Sequence, residues 1–436
     1  MKRLVAALAF LVLTLPILAG QTSNASLAAA IDARVKAIES KLVTWRRDFH
    51  QNPELSNRET RTAGIVAAHL RQLGLEVKTN VAHTGVVGVL RGGRPGPVVA
   101  LRADMDGLPL TEQADLPFAS KAKSTYNGQE VGVMHACGHD AHIAMLMATA
   151  EVLAGLKDQI PGTIKFIFQP AEEGAPVGEE GGASLMIKEG VLDNPKPAAI
   201  FGLHVMASIH SGEIAYRPGG VMAGADMLCI VVKGKGTHGA LPWGGVDPIV
   251  TASQIVTGLQ TIVSRQIDVT KSPAIVTIGT IHGGVRFNMI PDEVELLGTV
   301  RSFDPDSQED LRKRIARTVQ LIAESAGATA NTTLTMSAPV TYNTPALTEK
   351  MLPTLRRVAG DSHVILTPPS SVAEDFAFYQ QQVPGLFVFV GITPRDKDLT
   401  SVPLNHSPLF SIDESGLPLG VRTLANLAID FLSSPR

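Results

Sequence analysis

The segment Met134-His-Ala-Cys-Gly-His-Asp-Ala-His142 carries the densest chemistry in the chain. Cys137 and His139 stand one residue apart, with Gly138 between them to permit a tight turn. Thiolate and imidazole are strong ligands for zinc-like ions. The chain has two cysteines, so Cys137 reads more readily as a ligand than as half of a disulfide. His135 and His142 offer ligand atoms by residue type. A second segment, Phe168-Gln-Pro-Ala-Glu-Glu-Gly174, closes an apolar run. Its adjacent carboxylates repel unless a cation neutralises one. That pairing suits one glutamate on a metal and the other as general base for a metal-activated water. His204, in Phe201-Gly-Leu-His-Val205, ends another apolar run and by itself reads as a core histidine or a ligand. His406, in Val402-Pro-Leu-Asn-His-Ser-Pro408, by itself reads as a surface-loop histidine. Together Cys137, His139, Glu173, His204 and His406 suffice for a site holding two divalent cations.

Further along, Gly234-Lys-Gly-Thr-His-Gly-Ala-Leu-Pro242 puts His238 in a glycine-rich loop. Asn288 opens Asn288-Met-Ile-Pro-Asp292, and Arg301 ends Gly298-Thr-Val-Arg301. Arginine suits bidentate recognition of a carboxylate. By residue type alone these three are ordinary turn and strand-end residues.

These groups need elements to hold them. Apolar spacings of three and four predict helices over 27–49 and 59–73, the second stopped by Gly74. Strand-like runs cover 86–90, 98–103, 163–168 and 199–203, with a helix over 141–156. Strands alternating with helices predict an α/β domain with a central, mainly parallel sheet flanked by helices. Both the Glu-Glu pair and His204 then sit where open α/β sheets carry their sites, at the C-terminal ends of strands. After residue 220 the texture changes. Strand 227–232, helix 248–264, strands 274–281 and 294–302, helix 307–325 and strand 332–336 give the order β-α-β-β-α-β. That is the order of a ferredoxin-like α+β module. Residues 345–436 return to helix–strand alternation. The predicted organisation is a catalytic domain in two parts, 26–220 and 337–436, interrupted by an inserted domain over 221–336. Cys229, in a predicted strand of the insert, reads as core.

The N-terminus adds a compartment. Met1-Lys2-Arg3 is a basic start, and residues 4–19 are almost wholly apolar before Gly20. This describes a secretory signal peptide over 1–20, cleaved between 19 and 25, and predicts a periplasmic or secreted protein with no stable membrane association afterwards. The 436 residues are 44% hydrophobic and 18% charged, which argues against general disorder. A net charge of −3 argues against a nucleic-acid binder.

Taken in order, Leu101-Arg-Ala-Asp-Met-Asp106, His135-Ala-Cys-Gly-His-Asp140, Gln169-Pro-Ala-Glu-Glu-Gly174, Gly202-Leu-His-Val205, the His238 loop, Asn288–Asp292, Gly298–Arg301, Ala373-Glu-Asp-Phe376 and the His406 segment form an ordered set. The chain resembles the M20 metallopeptidases, and among them the amidohydrolases of N-acyl amino acids, such as hippurate hydrolases and plant auxin–amino acid conjugate hydrolases. The resemblance runs from about residue 35 onward. It implies a zinc-exopeptidase-like catalytic domain and an inserted lid that dimerises. It implies Cys137, His139, Glu173, His204 and His406 as ligands of divalent metal, two ions per subunit, with Zn²⁺ expected and Mn²⁺, Co²⁺ or Ni²⁺ as alternatives. Glu172 becomes the general base. His238 reaches into a partner subunit's site, and Asn288 and Arg301 bind substrate. Many relatives carry His-x-Asp where this chain has Arg102-Ala-Asp104. Arg102 cannot ligate a cation, and Asp104 is expected behind the ligands, orienting one of them. Trp243 is open to a substrate or a packing role. The implied reaction hydrolyses an N-acyl amino acid to a carboxylic acid and a free amino acid. The alternative is a dipeptidase or carboxypeptidase of the same fold.

Overall fold

The apolar runs of the first half become strands of one eight-stranded sheet. In the computed structural model, residues 15–434 are described, with side chains from residue 26. The basic start and most of the apolar leader fall in residues 1–14, outside the described residues. Among the described residues no helix is long and apolar enough to cross a membrane.

The chain divides into two units. The first runs to Ala215 and adds Glu349–Ile365 and everything from Val388. Its sheet has the strand order Glu76–Val81, Gly85–Arg91, Pro161–Gln169, Arg94–Asp104, Ala199–His210, Gly385–Thr393, Ile214–Tyr216, Val364–Leu366. The strand Arg94–Asp104 lies at its centre and pairs in parallel with both Pro161–Gln169 and Ala199–His210. Antiparallel pairs lie toward the edges. The strand Gly385–Thr393 is buried at every position, as expected of a strand covered on both faces. The helix His139–Ala154 is almost wholly buried, with a polar first turn and a mainly apolar remainder, and it packs against helices Leu15–Gln51 and Leu417–Ser433. The sequence placed His204 at the end of its strand, but the strand continues through it to His210.

A short antiparallel hairpin, Lys123–Tyr126 with Gln129–Gly132, was not foreseen. Its strands are short, polar and largely exposed, so they leave no apolar run to read. The signal was Asn127-Gly128, whose φ values of 48° and 77° suit a two-residue hairpin turn.

The second unit comprises Tyr216–Thr348 and Leu366–Phe387. Its four-stranded sheet has the order Ala274–Gly283, Glu293–Ser302, Gly224–Lys233, Thr329–Ala338, with all neighbours antiparallel. With helices Pro248–Thr261 and Pro305–Ser325 this is the ferredoxin-like arrangement. Both helices start in the same way. Asp247 and Asp304 accept hydrogen bonds from backbone N–H groups of the first turn, and a proline follows each. Leu311, Ile315, Val319 and Ala323 form a buried stripe that meets Leu228, Ile230 and Val232 in one core. Cys229 is not in that core. It alternates onto the opposite face, half-buried, between Leu297 and Thr333 on the neighbouring strands.

Candidate metal centre

Four separate stretches of the first unit converge on one cluster. Cys137 and His139 flank Gly138, which holds φ 95° at the start of the His139–Ala154 helix. A Cβ on Gly138 would stand 2.3 Å from Val205 Cγ2, so this turn requires glycine. Glu172 and Glu173 follow the strand Pro161–Gln169 through Ala171, itself at φ 53°. His204 projects from the strand Ala199–His210. His406 lies in a loop at φ 70°, and its backbone N–H donates to the Ala136 carbonyl at 2.8 Å.

Their side chains meet. Cys137 Sγ is 3.3 Å from His204 Nε2 and 3.2 Å from His406 Nε2. His406 Nε2 is 3.0 Å from Glu173 Oε1, and His139 Nε2 is 3.8 Å from Glu172 Oε2. Three overlapping groups result: Cys137, His139 and His204; Cys137, Glu173 and His406; and His139, Glu172 and Glu173. Cys137, His139 and His204 are buried, whereas His406 is half exposed.

The donor set fits a divalent cation. His139 Nδ1 donates to the Asp106 carbonyl at 2.9 Å, and His204 Nδ1 to the Val205 carbonyl at 2.7 Å. A nitrogen that donates to a carbonyl carries a proton, so Nε2 is the atom that each ring turns toward the cluster, and it can bind a cation once it holds no proton of its own. His139 Nε2 is buried without a hydrogen-bond partner. Such an atom costs about 1–3 kcal/mol unless something satisfies it. The field points the same way. Burial alone would lower the His139 pKa, but Asp104, Asp106 and Glu173 push it up to about 10. Burial and the charges of Glu173, Glu172 and Asp104 hold the Cys137 thiol well above its usual pKa. The cluster therefore carries an excess of negative charge that a cation would answer. Cysteine, imidazole and carboxylate together are the ligand types of zinc and its first-row neighbours.

Other residues hold the cluster in place. Asp104 is fully buried, ion-paired to Arg102 at 2.6 Å and 2.5 Å from His142 Nδ1. His142 Nε2 in turn accepts the Val205 N–H at 2.9 Å. Both nitrogens of His142 are thus engaged, which excludes it as a ligand. His135 is buried with neither nitrogen hydrogen-bonded, and burial lowers its pKa to about 4.

Three residues of this scaffold went unassigned in the sequence. Asp106 accepts the backbone N–H groups of both Glu172 and Glu173 at 3.0 Å, gripping the paired-carboxylate turn. Its position two residues after Asp104 at the strand end was the available signal. Glu59 accepts the Ala171 N–H at 2.9 Å and steadies the same turn. Asn405 bonds to the Cys137 and Val205 carbonyls and the Ala207 N–H, which docks the His406 loop.

The remaining candidates belong to the second unit. His238 lies exposed on the two-residue strand Thr237–His238, opposite Met289. Gly239 N–H donates to the Asn288 carbonyl at 2.8 Å, so one small ribbon brings His238 and Asn288 together. Arg301 lies on the strand Glu293–Ser302, and its guanidinium donates to Thr299 Oγ1 and the Val300 carbonyl. Trp243 is 80% exposed and does not pack into its own unit.

Residues 100–430 match the description Peptidase family M20/M25/M40. The chain is similar to Thermostable carboxypeptidase 2 of Saccharolobus solfataricus, 43% identical over 91% of this chain and 97% of that protein. It is also similar to IAA-amino acid hydrolase ILR1-like 5 of Arabidopsis thaliana, 39% identical over 90% of this chain and 86% of that one. Among solved structures it resembles a Bacillus subtilis protein described as a dinuclear metal binding peptidase from the M20 family. That match has TM-score 0.76 and 34% identity, over 91% of this chain and 99% of the other. With a ligand cluster of this composition and similarity running through most of its length, the chain belongs to peptidase family M20/M25/M40 and is a metal-using hydrolase of amide bonds.

Proposed function

We propose that this protein hydrolyses the amide bond of N-acyl amino acids, releasing a carboxylic acid and a free amino acid. The observation that carries the reading is the gripped Glu172-Glu173 turn. Asp106 fixes both backbone N–H groups, with Glu173 in the ligand cluster and Glu172 3.8 Å from His139. In this reading Cys137, His139, Glu173, His204 and His406 hold two divalent ions per subunit, Zn²⁺ with Mn²⁺, Co²⁺ or Ni²⁺ as alternatives. When bound, such ions make water more acidic and polarise a carbonyl. Glu172 takes the proton of the attacking water and returns it to the departing amine. His238, supplied by a partner subunit, stabilises negative charge on the carbonyl oxygen. Arg301 has no carboxylate in its hydrogen bonds or ion pairs among the described residues, which leaves its charge for the substrate carboxylate beside Asn288. The basic, apolar start of the chain supports export to a periplasmic or external compartment.

The carboxypeptidase relative supports the second reading, a peptidase that removes an amino acid from an aminoacyl donor. The test is a panel of N-acetyl, N-benzoyl and aminoacyl substrates with the metal-loaded protein. Turnover of the N-acyl compounds is expected to vanish on chelation and to return with Zn²⁺, Mn²⁺ or Co²⁺. Glu172→Gln should lower kcat by about 10²–10⁴-fold while metal content stays unchanged. Dominant aminoacyl turnover would favour the peptidase, and binding without turnover would exclude both.

A further inference from the structure

A pocket of about 200 Å³ opens beside the ligand cluster, wholly within the first unit. Leu55, Leu108, Pro109, Tyr126 and Pro176 give it apolar walls, and Glu173 stands at one end. Its frame is braced. Leu55 bridges to Gly107, whose N–H donates to the Glu54 carbonyl at 2.7 Å. Leu108 exchanges hydrogen bonds with Met134 at 2.9 and 3.1 Å. Tyr126 stands at the turn of the Lys123–Gly132 hairpin, which presses close to Thr111: a Cβ on Gly132 would meet Thr111 Cα at 2.7 Å. Gly107 follows Asp106, so the residue that grips the Glu172-Glu173 turn leads directly into the pocket floor.

The chemistry of the walls selects one half of the substrate. The only basic side chain in the lining is Arg58, and its guanidinium is already taken by Glu179, with contacts of 2.5 and 3.0 Å. An anion finds no free basic side chain in this lining, so the carboxylate-bearing amino acid half gains nothing here. The neutral acyl half suits the apolar walls. Size narrows it further. A cavity of about 150 Å³ is enough to hold benzene, so this pocket is far larger than the single methyl of an acetyl group needs.

We propose that this pocket is the acyl-group subsite and that it takes an aryl or medium-chain alkyl acyl group, with Tyr126 and Leu108 setting the preference. The assignment rests on the N-acyl amino acid reading above. The test compares kcat/KM for N-acetyl and N-benzoyl derivatives of one amino acid, in the metal-loaded wild type, Tyr126→Ala and Leu108→Trp. The wild type should prefer the benzoyl substrate by about tenfold or more, the scale on which apolar pockets discriminate. Tyr126→Ala should lower benzoyl turnover about five- to tenfold and leave acetyl turnover within twofold. Leu108→Trp, which fills the pocket, should shift the ratio toward acetyl. Calorimetry on the turnover-deficient Glu172→Gln protein gives a second readout, in which Tyr126→Ala should weaken binding of N-benzoylglycine but not of N-acetylglycine. Turnover or binding of both substrates changing together would overturn the subsite. Absence of turnover on every N-acyl substrate would instead overturn the function on which the subsite rests, and the subsite with it.

Discussion

Glu59 acts on the cluster through the Ala171 turn and not through a candidate ligand. It accepts hydrogen bonds from the Asn57 and Ala171 backbones and from Thr84 Oγ1. Burial, together with the nearby Asp106 charge, raises its pKa from the usual 4.5 to about 8. Below pH 4.5 the carboxyl is protonated whether the chain is folded or not, and its contribution to stability is fully present. Between 4.5 and about 8 the unfolded chain releases the proton while the native state retains it, so stability falls as pH rises. Glu59→Gln presents the neutral shape permanently, with a carbonyl for the two backbone donors and an amide for Thr84. Denaturation midpoints of the metal-free protein between pH 5 and 8 should fall for the wild type and stay flatter for Glu59→Gln; equal slopes would refute this. Cys137 and His139 were legible in the sequence because their types and spacing are rare together. Glu59 was not, because a lone glutamate before a helix reads as a surface residue, and only the fold buries it beside Ala171. His204 and His406 were ambiguous one at a time for the same reason: ligand geometry is set across the chain, not along it.

Among the elements, the turn at Gly138 bears directly on the ligands, because it joins Cys137 to His139. Gly138→Ala sets a methyl against Val205 and puts a side chain in the left-handed region. Overpacking costs about 1–3 kcal/mol, and the backbone conformation about 1–2 kcal/mol more. The expected result is a lower Tm together with weaker metal uptake, because Cys137 and His139 move with the turn. A stable protein with unchanged zinc affinity would show that the turn does not set the ligands. Long elements were legible from their periodicity, as in the stripe Leu311, Ile315, Val319 and Ala323. Short ones were not. The hairpin carrying Tyr126 has four-residue strands stabilised by backbone pairing and a turn, with little apolar patterning to betray them. Cys229 shows the limit of reading a strand without its register, since one step along the strand exchanges the core face for the other.

At the scale of the whole molecule, the second unit carries His238, Asn288 and Arg301 while the first carries the entire ligand cluster. If His238 acts across a dimer, co-expressed Glu172→Gln and His238→Ala chains should regain activity. Random pairing leaves about one site in four intact. Inactivity of co-purified mixed dimers would place His238 in its own subunit's site instead. One feature of the cluster also bears on timing. Cys137 and His406 are 269 positions apart, and the latter arrives on a loop pinned by Asn405. A chain made or threaded through a membrane from its N-terminus cannot assemble the complete ligand set until that loop has emerged and docked. The nascent chain is therefore a precursor with an incomplete site, and its hydrolytic power is withheld until late in its own biogenesis.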